Sequence, residues 1–197
     1  MTLESTLEGI HMKFWTVQTK NVLDIIEEEG IFQPDFHKSR YLEWNPDLQD
    51  LYDCLLTGFN KNNGTHLPGV VFAFAQSDGK KIFSIKDSQS FYRFIQENKS
   101  VIFSLWNKLI ENDAMIMELE YQERFNPIFI DINDFQFMMP PVMMLPPYTQ
   151  QSVSRICHDI NNGEITISEF PSPVMQAHLP YIKPENIVNI YRTFPFA

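Results

Sequence analysis

Apolar positions along the chain alternate between a two-residue and a three-to-four-residue spacing, and the changes of period mark out the elements. Residues 13–18 bring Phe14, Trp15 and Val17 together in a short aromatic and β-branched run, which predicts a strand. Thr19 is a plausible N-cap for a helix carrying Val22, Leu23, Ile25 and Ile26, with Gly30 to end it. Residues 31–44 show no period and read as a loop. Asn45 and Pro46 suit the cap and first turn of the next helix. Its apolar stripe is Leu48, Leu51, Tyr52, Leu55, Leu56 and Phe59, and Asn63-Gly64 stops it.

Residues 70–75 predict a buried strand. Asp78-Gly79 is a hairpin signal that turns residues 81–85 back antiparallel. Asp87 or Ser88 can cap a helix bearing Phe91, Phe94 and Ile95. Residues 101–112 fit either a helix or a strand leading into a shorter helix. Residues 114–121 and 128–132 read as strands and residues 152–160 as a short helix, with a turn at Asn162-Gly163. Residues 165–170, 174–179 and 187–191 complete the chain as a late run of strands. The expected fold is α+β: a single domain over residues 13–197 with a mixed, mostly antiparallel sheet and about four helices. Residues 1–12 read as an N-terminal extension.

Composition supports a globular protein, with 44% hydrophobic and 14% aromatic residues among 197, and 17 phenylalanines to fill a core. The formal net charge of −10 changes the choice of partner. Phosphate-backbone binding needs clustered basic residues, and here Lys80-Lys81 is the one adjacent pair, so nucleic acid is not an expected partner. Glu27-Glu28-Glu29, the longest acidic run, is too short for a DNA mimic. No stretch has the roughly 18 apolar residues that cross a bilayer. The first twelve residues lack a basic n-region, so they do not read as a signal peptide, and Met12 could itself be a start. Cys54 and Cys157 make no disulfide framework, which points to a reducing, cytoplasmic setting.

Recognisable catalytic motifs are missing. The histidines, His11, His37, His66, His158 and His178, lack metal-ligand spacing, so no metal site is expected. There is no GxSxG elbow, GxGxxG or P-loop. Glu118, Glu120, Asp131 and Asp134 lie on or beside strands, and spatial pairing could bring any of them into acid–base work. The most unusual stretch is Met138-Met139-Pro140-Pro141-Val142-Met143-Met144-Leu145-Pro146-Pro147. Its adaptable methionines, Met138, Met139, Met143 and Met144, suit a partner-binding edge, while the favoured reading of the stretch is a long loop laid over the sheet with those side chains filling irregular core space.

Lys13-Phe14-Trp15-Thr16-Val17-Gln18, with Val22-Leu23 and Glu29-Gly30-Ile31, resembles the opening of a bacterial family of unknown function, number three-eight-four-one. The resemblance continues at Phe103-Ser104-Leu105-Trp106-Asn107, Met175-Gln176-Ala177-His178 and Asn186-Ile187-Val188. It implies a bacterial or phage setting and carries no activity with it. The layout also resembles the ADP-ribosyltransferase fold, in which a first strand and a late strand line a nicotinamide groove. That likeness implies NAD as ligand and Trp15, Gln18, Ser104, Gln176 and His178 as groove residues. Gln176 stands where that family places a catalytic Glu, and a neutral amide cannot stabilise an oxocarbenium-like transition state. Two readings follow: a non-catalytic protein that binds another protein, of a kind used in conflict between bacteria and phage, and an NAD-handling transferase-like enzyme.

Overall fold

The computed structural model describes residues 12–44, 46–134 and 150–197. Strand β1 (Phe14–Gln18) leads into helix α1 (Lys20–Glu29), and a short helix α2 (Arg40–Trp44) precedes α3 (Gln49–Asn63). Then come β2 (Val71–Ser77), β3 (Ile82–Phe83), α4 (Ser88–Glu97), α5 (Lys99–Glu111), β4 (Met115–Leu119) and β5 (Ile128–Asp131). Helix α6 (Gln150–Asn161) and strands β6 (Val174–Leu179) and β7 (Ile187–Arg192) follow. The strands form one sheet in the order β5-β6-β2-β1-β4-β7, with β3 paired to the end of β2. Every pairing between these strands is antiparallel. This is the α+β architecture the pattern predicts.

Alternation along the strands sorts the core into two layers. Trp15, Val17, Phe72, Phe74, Ile116, Ile128, Ile130 and Val174 point to the face covered by α3, α4, α5 and α6. Phe14, Val71, Ala73, Ala75, Met117, Leu119, Phe129, Met175 and Ala177 point to the other, where α1 brings Val22 and Ile26. Both faces are therefore dry, and all five residues of β1 are buried. Met12, assigned to an extension by the sequence, packs against the second layer. Residues 1–11, Asn45 and the four methionines at 138, 139, 143 and 144 lie outside the described residues.

Several local expectations hold with their physical causes visible. Gly30 and Gly64 end α1 and α3 at φ 75° and 63°, the left-handed region that glycine enters without penalty. Asp87 caps α4 by accepting from the Ser90 N–H. Thr19 sits at the start of α1 in extended backbone, but its hydroxyl makes no capping bond. Residues 99–111 resolve as helix, with Ile102, Leu105, Trp106 and Leu109 on the buried side. The C-terminal residues lie against α4 and α5, where Trp106 Nε1–H donates to Phe194 O at 2.7 Å and Gln96 Nε2 donates to Pro195 O.

Two expectations need correcting. The described residues hold six α-helices, not about four, because part of the region read as loop forms α2 and residues 99–111 are fully helical. Residues 165–170 do not form a strand. Thr166 alone bridges the outer side of β5, opposite Ile130. Beyond it the Asp131 carboxylate accepts from the backbone N–H groups of Asn133 and Ser172, so side-chain bonds rather than a ladder tie the chain past residue 170 to the end of β5.

Helices α3 and α6 approach closely at Gly58. A Cβ there would stand 2.1 Å from Cγ2 of Ile160, a buried β-branched side chain that cannot swing away. Gly58→Ala is expected to lower stability by about 1–2 kcal/mol, since overpacking costs more than the gain in helix propensity. Chemical denaturation of that variant, alone and with Ile160→Ala, checks this: the second change should recover part of the loss made by the first.

Candidate functional site

The residues predicted to line a nicotinamide groove do not surround an opening. Strand β2 lies between β1 and β6, so the first and penultimate strands are not neighbours. Trp15 and Gln176 share a face, each opposite Phe74 in register, and both are fully buried beneath the helices. The stacking face of the indole is taken by Phe91, with ring centres 4.7 Å apart and planes 10° apart, and Tyr191 flanks it at 6.0 Å. Its N–H donates to Ile85 O at 2.7 Å.

Gln18 is three residues beyond Trp15, so alternation turns it to the opposite face. There its amide donates to Thr16 Oγ1 at 2.8 Å, and that hydroxyl donates to Phe72 O at 2.6 Å. Register between β1 and β2 is held at one position only, Trp15 opposite Phe74. The Thr16 hydroxyl thus supplies a bond to β2 that the backbone ladder does not. Ser104 sits on the outer, exposed side of α5. His178 is buried between Phe72 and Ile128, and its Nδ1 lies 3.1 Å from Ile128 O. Burial drives its pKa from 6.5 down to about 4, so the ring is neutral and Nδ1–H is the donor.

The polar site that the fold does assemble centres on Glu118, buried at 3% exposure on β4. The antiparallel register places it between Trp15 of β1 and Asn189 of β7. One carboxylate oxygen pairs with Lys13 Nζ. The other accepts from Asn189 Nδ2 at 2.9 Å and Tyr191 OH at 3.0 Å. Glu120 stands 3.5 Å from the same Lys13 ammonium. Burial opposes the charge on Glu118 most strongly, but the bonds from Lys13, Asn189 and Tyr191 together outweigh it and hold its pKa below the usual range. The bond to Glu118 in turn raises Lys13, and burial followed by the same carboxylate raises Tyr191. Chemically this is a fixed anion with three donors, two of them locked in protonated form.

A second node closes the far edge of the sheet. Asp131 is fully buried, and burial raises its pKa against the pull of the N–H groups of Ser172, Asn133 and Ser168. Asp134 lies 2.6 Å from the Arg155 guanidinium, which also donates to Ile167 O at 2.8 Å. Of the four carboxylates singled out in the sequence, Glu118 and Glu120 converge on one lysine, while Asp131 and Asp134 organise a turn. Nothing in the sequence linked Lys13, Asn189 or Tyr191 to Glu118, because only strand order brings them together. Among the described residues no group of histidine, cysteine and carboxylate side chains is arranged to hold a metal ion, and no helix is long and apolar enough to cross a membrane. Comparison with protein families, curated proteins and solved structures finds no match for this chain.

The buried histidine makes stability depend on pH. Its folded pKa lies below the unfolded value of 6.5, so its contribution is complete above pH 6.5 and is lost as pH falls toward 4. Between pH 7 and pH 5 the native protein should lose about 2 kcal/mol more than a His178→Gln variant, read from urea midpoints at both pH values. For Lys13→Met, destabilisation at pH 7 is expected to be about 1–3 kcal/mol. That effect should shrink as pH falls through the lowered pKa of Glu118, where the pair loses its charge in either protein.

Proposed function

We propose that the protein works by binding another protein, and that the exposed edge of β7 takes an extended, basic segment of that partner. The carrying observation is the surface of β7. It is the last strand of the sheet, no described strand pairs with its outer side, and Val188 and Ile190 are 44% and 42% exposed on it. Sheet edges are usually blunted by charge or proline because their free N–H and C=O groups attract further strands. The one charged residue of β7 is Arg192 at its end, and Ile187 to Tyr191 carry none. Addition of a strand would supply main-chain bonds for affinity and seat alternate apolar side chains over Val188 and Ile190. The net charge of −10 favours a basic partner and speeds its approach.

An NAD-handling, transferase-like role drew on an indole and an amide facing a shared hollow. With Trp15 against Phe91 and Gln176 under the helices, that reading has no observation in its favour.

A titration of isotope-labelled protein with a ten-residue peptide alternating Val and Lys tests the proposal by amide chemical shift. Saturable shifts concentrated at residues 187–192 are expected, weakened at least threefold by Ile190→Lys and not produced by a peptide alternating Val and Glu. Equal response to both peptides, or shifts centred elsewhere, would overturn it.

A further inference from the structure

Cys54 and Cys157 are far apart in sequence, and the packing of α3 on α6 brings them face to face. Three contacts fix how these helices lie. Gly58 meets Ile160, Asn62 Nδ2 reaches Ile160 O at 3.4 Å, and Lys61 Nζ reaches Asn161 O at 3.3 Å. Cys54 interacts with Cys157 one turn before Gly58 meets Ile160, so the contacts advance together along both helices and the pair runs parallel. Cys54 is four residues before Gly58 and Cys157 three before Ile160, one turn back on each contact face. The helix packing thus sets the two thiols opposite one another, both half-buried at the margin of the core. Gly58, one turn further on, lets the two backbones approach closely there, as a short cross-link requires.

We propose that Cys54 and Cys157 are a reversible redox pair, closing to an intramolecular disulfide that staples α6 to α3 when a peroxide is present. Burial pushes the Cys54 thiol up, and the two sulfurs are interchangeable in the overall reaction, here with Cys157 oxidised first. The Cys157 sulfur attacks a peroxide oxygen, the O–O bond breaks, and water leaves behind a sulfenic acid. The Cys54 sulfur then attacks the sulfenic sulfur. An S–S bond forms as the S–O bond breaks, and the departing hydroxide takes the Cys54 proton to leave as a second water. Hydrogen peroxide is reduced to two waters and two thiols are oxidised to one disulfide. A dithiol reverses the step by exchange.

The staple would act on more than two side chains. Helix α6 carries Arg155, which holds Asp134 at the end of β5 and the carbonyl of Ile167. Fixing α6 to α3 therefore fixes the turn beyond β5 as well. In a reducing compartment such a bond is transient and serves as a sensor rather than as a permanent brace.

The chain has two cysteines, so any intramolecular disulfide in the folded monomer must be this one. Folded protein treated with hydrogen peroxide is examined by intact mass, thiol titration and thermal melting, before and after dithiothreitol. The expected result is a monomer lighter by two hydrogens, with both thiols lost. Its melting temperature should be higher by about 10–20 °C, as closure of a loop of about 100 residues implies, and all changes should reverse with the dithiol. Closure should also be faster in native protein than in urea. Mixed dimers, mass gains from added oxygen without loss of hydrogen, thiols that persist, or equal closure rates in native and unfolded chains would each overturn the proposal. Cys54→Ser and Cys157→Ser should each lack the melting shift, and the measurements on unaltered protein decide the matter even where a variant folds poorly.

Discussion

Everything in this molecule rests on β1 being covered from four directions. Strands β2 and β4 flank it, four helices close one face, and α1 with its neighbouring loops closes the other. A five-residue strand in that position must bury all its side chains, and its polar ones must find partners inside the protein. Trp15 does so through Ile85 O and the ring of Phe91, and Thr16 and Gln18 through a chain of bonds ending at Phe72 O. The aromatic and polar opening of the chain is thus the centre of its core.

The same constraint organises the charges. Lys13 stands at the mouth of β1, where it neutralises Glu118 on the neighbouring strand, and Asn189 and Tyr191 complete that carboxylate from β7. Tyr191 also flanks the Trp15 indole, so the polar node and the aromatic stack share one side chain. On the opposite edge Asp131 gathers backbone N–H groups and ends the sheet. Both nodes spend their hydrogen-bonding capacity on the protein itself. Among the described residues, the proposed recognition and the proposed redox pair both fall at the periphery, on the apolar edge of β7 and between α3 and α6.

Much of the architecture was legible in the sequence because it depends on local chemistry. Stripes such as Leu51, Tyr52, Leu55 and Phe59, the glycine stops at Gly30 and Gly64, the Asp87 cap and the Asp78-Gly79 turn each act within a few residues. Strand order is different, because it is decided by which faces can be buried together. Without it, Trp15 and Gln176 looked like two walls of a groove, when Phe74 lies between them in the sheet. Residues 165–170 had the composition of a strand, yet only Thr166 meets β5, and the chain just beyond is tied to that strand by the buried Asp131 carboxylate. Cys54 and Cys157 gave no sign of proximity, since helix packing alone brings them together.

If β1 is the buried centre of the fold, the indole N–H of Trp15 should exchange with solvent only when the whole protein opens. Hydrogen exchange of that proton followed by nuclear magnetic resonance reads this directly. Protection matching the free energy of global unfolding, and an indole signal unmoved by millimolar NAD, is the predicted result. Exchange by local opening orders of magnitude faster, or an indole resonance that shifts on adding NAD, would contradict it.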